Sequence, residues 1–251
     1  MQARHAALGL LGVLALWQGA VAARLLPSYV LPAPAAVAAT LWRQRDFLLD
    51  QTAITLGEIG AGLVLGSLFG AAVAFGLAAC PRIGRIAWPM LVVLQAFPVF
   101  VLAPILVLWL GFGMASKVAM TLIIIFFPVA SAFADGLNRT PPAVLDAAAL
   151  TAASPFQVLT RLRVPLALPS LVSGLRVAAP LAPLGAVVGE WVGASGGLGF
   201  VMVQANARMQ ADMVFAAMAL LALLCVVLRL AIDRLTAGLA PWARETPPTS
   251  D

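Results

Sequence analysis

From Val118 to Ala134 the chain carries no charged residue, and similar apolar runs recur along its length. We read six of them, at 6–23, 54–79, 86–112, 118–135, 166–190 and 213–235. About 20 apolar residues cross the hydrocarbon core of a bilayer. Lipid offers no hydrogen bonds to the backbone, so each crossing is expected to be a helix. Composition closes off the soluble alternative. The chain is 63% hydrophobic and 10% charged, whereas soluble domains average about 45–50% apolar and about 25% charged. The expected class is therefore all-α: a polytopic membrane protein with about six transmembrane helices. We divide it into an N-terminal helix and outer segment (1–50), a transmembrane core (51–240) and a flexible tail (241–251).

Prolines mark where helices should break. Pro98 and Pro104 predict a kinked or broken third span. Pro27, Pro32 and Pro34 interrupt the segment after the first span, and Ala35–Leu41 predicts a short interfacial helix ending near Trp42. The first apolar run follows Arg4 but is longer than the core of a signal peptide and lacks a small-residue cleavage site. We read it as a retained helix or signal anchor.

The formal charge of +5 rests on 15 basic residues spread over the ends of apolar runs. That scatter argues against nucleic acid, which calls for a clustered basic patch. With both termini in the cytoplasm, the inner side holds Arg4, Arg82, Arg85, Arg139, Arg161, Arg163, Arg234 and Arg244. The outer side holds Arg24, Arg43, Arg45, Lys117 and Arg208, an imbalance that fits the positive-inside rule. The loop around 142–165 is then cytoplasmic. Cys80 and Cys225 make no disulfide framework, and no metal-ligand spacing is present.

That loop interrupts the apolar pattern with PAVLDAAALTAASPFQVLTRLRVPLALP. Pro141-Pro142 ends one helix and opens the next. Ala143–Ala152 contains good helix formers, with Asp146 expected in the first turn, where a carboxylate suits the positive helix end. Ser154-Pro155 reads as an N-cap followed by proline at the first helical position, opening a second short helix through Arg161. Pro165 is expected to mark the return into the bilayer. The result is a helix–turn–helix elbow lying on the membrane surface.

The spacing Asp146-Ala147-Ala148, three residues, Ala152, nine residues, Leu162, one residue, Val164-Pro165 resembles the EAA loop of ABC-transporter permeases at every interval. Four residues depart from that pattern: Asp146 for Glu, Ala152 for Gly, Leu162 for Ile and Val164 for Leu. Ala152 is the departure of most consequence, because glycine admits a left-handed turn that alanine resists. Further motifs narrow the likeness. Pro98, Ala103-Pro104-Ile105 and Leu108-Trp109-Leu110-Gly111-Phe112-Gly113 resemble the nitrate/sulfonate/taurine-type importer permeases, as does Gly189-Glu190-Trp191-Val192-Gly193-Ala194 followed by Gly196-Gly197-Leu198-Gly199. The likeness covers roughly 25–238. Glu190-Trp191-Val192-Gly193, then Gly197-Leu198-Gly199-Phe200, then Ala205–Asp212, is similar to permeases for the hydroxymethylpyrimidine precursor of thiamine.

The resemblance implies a type I ABC importer (MetI-like) permease fold in the bacterial inner membrane. It implies a homodimer, a cytoplasmic ABC ATPase docked on Asp146, Ala147, Ala148, Ala152, Ser154, Leu162 and Pro165, and a periplasmic or lipid-anchored solute-binding protein. ATP would be held by the ATPase partner, and no cofactor or catalytic residue is expected in this chain. A P-loop, an HExxH and a GxSxG motif are all lacking, and His5 is the single histidine.

Four polar residues are candidates for the pathway or its gate. Two roles fit Glu190 near the end of the fifth span: a pathway group, or an interfacial carboxylate wetted from outside. Arg176 either snorkels or pairs with a carboxylate. Gln95 either lines the dimer pathway or bonds a neighbouring helix. Asn206, with Arg208 and Asp212, forms a polar rim before the sixth span. Glu58 reads as an outer interfacial charge. The glycines from Gly189 to Gly199 suggest a re-entrant turn. An ion-coupled secondary transporter is the alternative class, with Glu58 and Glu190 as its only acidic candidates.

Overall fold

The computed structural model describes residues 2–242. The end of the tail, including Arg244, lies outside the described residues. The elements in chain order are α1 (Gln2–Ala22), α2 (Pro34–Arg43), α3 (Arg45–Ala79), α4 (Pro81–Gln95), a 3-10 turn (Val99–Leu102), α5 (Ala103–Leu110), α6 (Met114–Asn138) and α7 (Pro142–Ala149). Then follow α8 (Pro155–Val158), a π turn (Leu159–Arg163), α9 (Val164–Ala178), a 3-10 turn (Ala179–Leu181), α10 (Ala182–Gly193), α11 (Leu198–Ala207) and α12 (Ala211–Thr236). Among the described residues every regular element is helical.

Four helical stretches are long and apolar enough to span a membrane: Arg45–Ala79, Met114–Asn138, Pro155–Gly193 and Ala211–Thr236. Pro81–Gln95 and Val99–Leu110 make a fifth only as a pair, bent by 88°. Pro98 explains the break: it lacks an N–H, and it holds the residue before it away from helical geometry. The remaining candidate is α1, a helix of 21 residues whose apolar stretch includes Leu11–Ala22. Four clear spans, one broken span and the N-terminal helix α1 thus stand where six crossings are expected. A short helix forms where one is expected, as α2, but the second long helix begins earlier than expected, at Arg45.

α6 is the axis of the bundle, packed by α3, α9 and α10. The α3–α6 seam depends on Gly62, Gly66 and Gly70, spaced every fourth residue along one face. A Cβ on them would approach Thr121, Ile125 and the Phe126 carbonyl to 2.5, 2.6 and 2.5 Å. Such small-residue seams let helices associate in lipid, where van der Waals contact replaces the hydrophobic drive. α12 closes the other side. The Thr40 hydroxyl donates to Asp212 Oδ2 at 2.6 Å, joining α2 to α12. Trp17 Nε1 donates to the Pro32 carbonyl at 2.9 Å, and its ring lies 5.5 Å from Phe215.

Candidate functional site

The bundle has two polar ends. One is the elbow. α7 starts at Pro142 and stops at Ala149, so Asp146 stands beyond the first turn and the helix-dipole reading of that residue fails. Asp146, Ala147, Ala152 and Ser154 are exposed, while Ala148 faces inward and is buried. Leu150, at the tip, is 91% exposed. The turn closes without a left-handed residue at Ala152. Instead the Thr151 hydroxyl donates to the Ala148 carbonyl at 2.7 Å. Alanine therefore serves where the resembling pattern has glycine.

Ser154 caps the next helix as expected, and a capping box is complete. The Ser154 N–H donates to Gln157 Oε1 at 2.8 Å, and the Gln157 N–H donates to Ser154 Oγ at 3.3 Å. The second arm differs from expectation. It is not a separate surface helix, because Pro155–Gly193 is one helical stretch that runs directly into the fifth span. Pro165 does not mark a break. It follows a π turn in which the Val164 N–H reaches the Leu159 carbonyl, and that widened turn absorbs the hydrogen bond proline cannot make. Leu162 lies within the turn and is half-buried. Arg163 ties the elbow to α6, its Nε donating to the Leu137 carbonyl at 2.9 Å and its Nη2 to Asn138 Oδ1 at 3.2 Å. Leu159 is buried beneath, and Phe156 meets Phe75 edge-on at 6.3 Å.

The other end is a buried polar cluster that the sequence placed at the surface. Lys117 is 1% exposed, Glu190 2% and Glu58 4%. Lys117 was expected in an outer loop; its Nζ instead donates to the carbonyls of Phe112, Gly113 and Gly193. Those three bonds pin the α5–α6 loop and the end of α10 to one ammonium. Glu190 is not a wetted interfacial carboxylate. Thr55 Oγ1 donates to its Oε1 at 2.6 Å, and the Gly199 N–H donates to its Oε2. Thr55 in turn accepts from the Leu198 N–H at 2.8 Å, while Gln51 Oε1 accepts from the Gly197 N–H at 2.8 Å. Glu58 is likewise not a water-exposed charge, since it is buried on α3 one turn beyond Thr55.

The glycines here make room for a carboxylate. Gly197 has a φ of 104°, open to glycine, and a Cβ on it would fall inside the Glu190 carboxyl. A Cβ on Gly199 would sit 2.7 Å from Glu190 Oε2. The expected re-entrant turn is thus a chain reversal built around one acidic side chain.

The remaining candidates are apart from both ends. Arg176 pairs with Asp233 at 3.0 Å, and Arg229 reaches the other oxygen of that carboxylate at 3.1 Å, joining α9 to α12. Asn206 is exposed near the end of α11. Gln95 closes α4 at the bend and has no side-chain hydrogen bond among the described residues. It borders a cavity of about 800 Å³ between the broken span and α6, whose other lining residues, including Phe69, Leu91, Phe97 and Phe126, are apolar. Sequence reasoning missed Lys117. The available signal was its place directly before a charge-free run, where a cation should lie at the boundary or be bonded inside.

A long apolar bundle with a broken span and an exposed elbow admits comparison with known membrane components. The family described as "Binding-protein-dependent transport system inner membrane component" matches residues 53–245. The chain belongs to this family. It is 48% identical over 221 residues to a probable ABC transporter permease protein of Haemophilus influenzae, covering 88% of this chain and 90% of the relative. A formylaminopyrimidine transport permease protein, ThiX, of Halalkalibacterium halodurans is 35% identical across 97% of this chain and 98% of its own length. The taurine transport permease TauC of Escherichia coli is 30% identical across 82% of this chain and 73% of its own length. In fold, the chain matches one from the inward-facing MetNI methionine ABC transporter with a TM-score of 0.67 at 20% identity, covering 77% of this chain and 96% of that one. The type I importer permease fold expected above is therefore the fold of this chain. It is a multi-pass ABC importer permease subunit, not an enzyme, and the secondary-transporter reading falls away.

Proposed function

We propose that two copies of this chain pair around a translocation path, with an ABC ATPase under each elbow and a solute-binding protein at the opposite face. The termini and the elbow face the cytoplasm, and ATP is bound by the partner. The observation that carries this reading is the elbow itself. Its alanine face and Leu150 are exposed although the chain supplies apolar neighbours elsewhere, and Arg163 and the π turn couple it rigidly to α6 and α9. We read this exposed tip, outside lipid in the orientation proposed, as the docking surface. Motion of a docked ATPase then tilts the fifth span as a lever, switching the path between inward- and outward-facing states.

For the solute we propose a small uncharged heterocycle of the pyrimidine class, the hydroxymethylpyrimidine precursor of thiamine being our best reading. Support comes from the full-length likeness to ThiX and from the cavity beside α6, which has no cation on its wall and only the Gln95 amide as a polar group. The likeness to TauC favours a second reading, import of sulfonate or taurine-type anions. Asp146→Lys should abolish co-purification of the ATPase while membrane insertion is unchanged; undiminished transport in that variant refutes the docking assignment. Uptake by the reconstituted complex of labelled hydroxymethylpyrimidine against taurine separates the two solute readings.

A further inference from the structure

We propose that Glu58 and Glu190 hold one proton between them, carried by Glu58, and that this proton keeps the α10–α11 reversal docked on α3. The inference goes beyond transport by the family and depends on neither the elbow nor the solute.

Thr55 bonds the Glu190 carboxyl at 2.6 Å, and Glu58 stands three residues further along the same face of α3, which brings the two carboxyl groups together. An ionised carboxylate only accepts, so two of them form no hydrogen bond unless one is a neutral acid. Like charges in contact inside a low-dielectric bundle do not both ionise. Hydrogen-bond complementarity says which one keeps the proton. Glu190 is supplied with donors: the Thr55 hydroxyl, the Gly199 N–H and the Phe200 N–H, the last two from the first turn of α11. A helix N-terminus favours a negative charge. Glu58 is nine-tenths buried and its Oε2 has no hydrogen-bond partner. A carboxylate left so would be costly, whereas a carboxylic acid donating to Glu190 is satisfied.

Lys117 completes the assignment. An ammonium has three donors, and all three go to the carbonyls of Phe112, Gly113 and Gly193. It therefore donates to neither carboxylate but balances one negative charge nearby. The charged groups facing the pair are Glu58 from α3, Lys117 from α6 and Glu190 from α10. α5 and α11 contribute none. One proton leaves this set neutral. Without it, Glu58 would repel the carboxylate to which α11 is bonded.

The test uses the full chain in lipid nanodiscs with carboxyl-labelled glutamate. Infrared difference spectra at neutral pH should contain a protonated-carboxyl C=O band that Glu58→Gln removes. Glu58→Gln should keep the wild-type Tm, because a carboxamide donates the same bond without charge. Glu190→Gln should lower it. A spectrum without the band, a band that survives Glu58→Gln, or a Glu58→Gln variant melting well below wild type would each overturn the assignment. The spectra of wild type and Glu58→Gln decide the matter even if Glu190→Gln does not fold.

Discussion

The two polar ends of the bundle spend their residues in opposite ways. At the elbow the side chains of Asp146, Ala147 and Leu150 stand in the open, and among the described residues the Asp146 carboxylate has no hydrogen bond or ion pair. At the other end, Lys117, Glu58 and Glu190 are buried and organised, with glycines cut away to admit them. An exposed group can be replaced without leaving a void or an orphaned charge, so its role is read through a partner. A buried group is held by its neighbours, so its role is read first through stability. The comparison supports the docking proposed for the elbow and gives the cluster a bracing role.

The harshest challenge to this division is Lys117→Met. It leaves three carbonyls without a donor and a buried carboxylate without its counter-charge. Breaking a buried charge set in this way costs about 3–5 kcal/mol. We expect a large loss of thermal stability in detergent, or loss of the folded chain. A Lys117→Met variant as stable as wild type would show the cluster to be dispensable.

A milder test falls on the elbow's own frame. Ser154→Ala removes the cap whose oxygen accepts the Gln157 N–H. N-cap losses run to about 1 kcal/mol. The effect should be local, read as faster hydrogen exchange over Phe156–Thr160 with little change in global Tm. Global unfolding in this variant would mean that the elbow braces the bundle after all.

The difference between the ends also governs what the sequence could reveal. The spans, the break at Pro98 and the cap at Ser154 were legible because each is a local effect of apolar run length, a missing N–H or a short polar side chain. The elbow's register was legible through spacing along one segment. The continuous helix through Pro165 was not, since the π turn that accommodates proline depends on how α9 packs beside α6. Nor was the buried cluster. Thr55, Glu58, Lys117, Glu190 and Gly199 come from four helices, and their meeting is a tertiary fact. Taken singly, Lys117 and Glu58 look like boundary charges, because a charge at the end of an apolar run is most simply placed in water. The glycines between Gly189 and Gly199 pointed to a reversal but not to the carboxylate that fills it.

The smallest expected effect on stability, and the sharpest on assembly, belongs to Leu150→Ser. Leu150 is 91% exposed, so its removal takes almost no buried surface from the chain. Surface substitutions of this kind change stability by about 0.5 kcal/mol or less. If the tip seats in an ATPase, however, its side chain becomes buried only in the complex. Burying a leucine contributes about 1.5–3 kcal/mol, and losing that at each of two elbows weakens assembly while the isolated permease is untouched. Titration of the ATPase against nanodisc-held permease should give a Kd raised more than tenfold beside an unchanged Tm. An unchanged Kd would place the docking contact elsewhere on α7, and a lowered Tm would mean that Leu150 packs on its own chain.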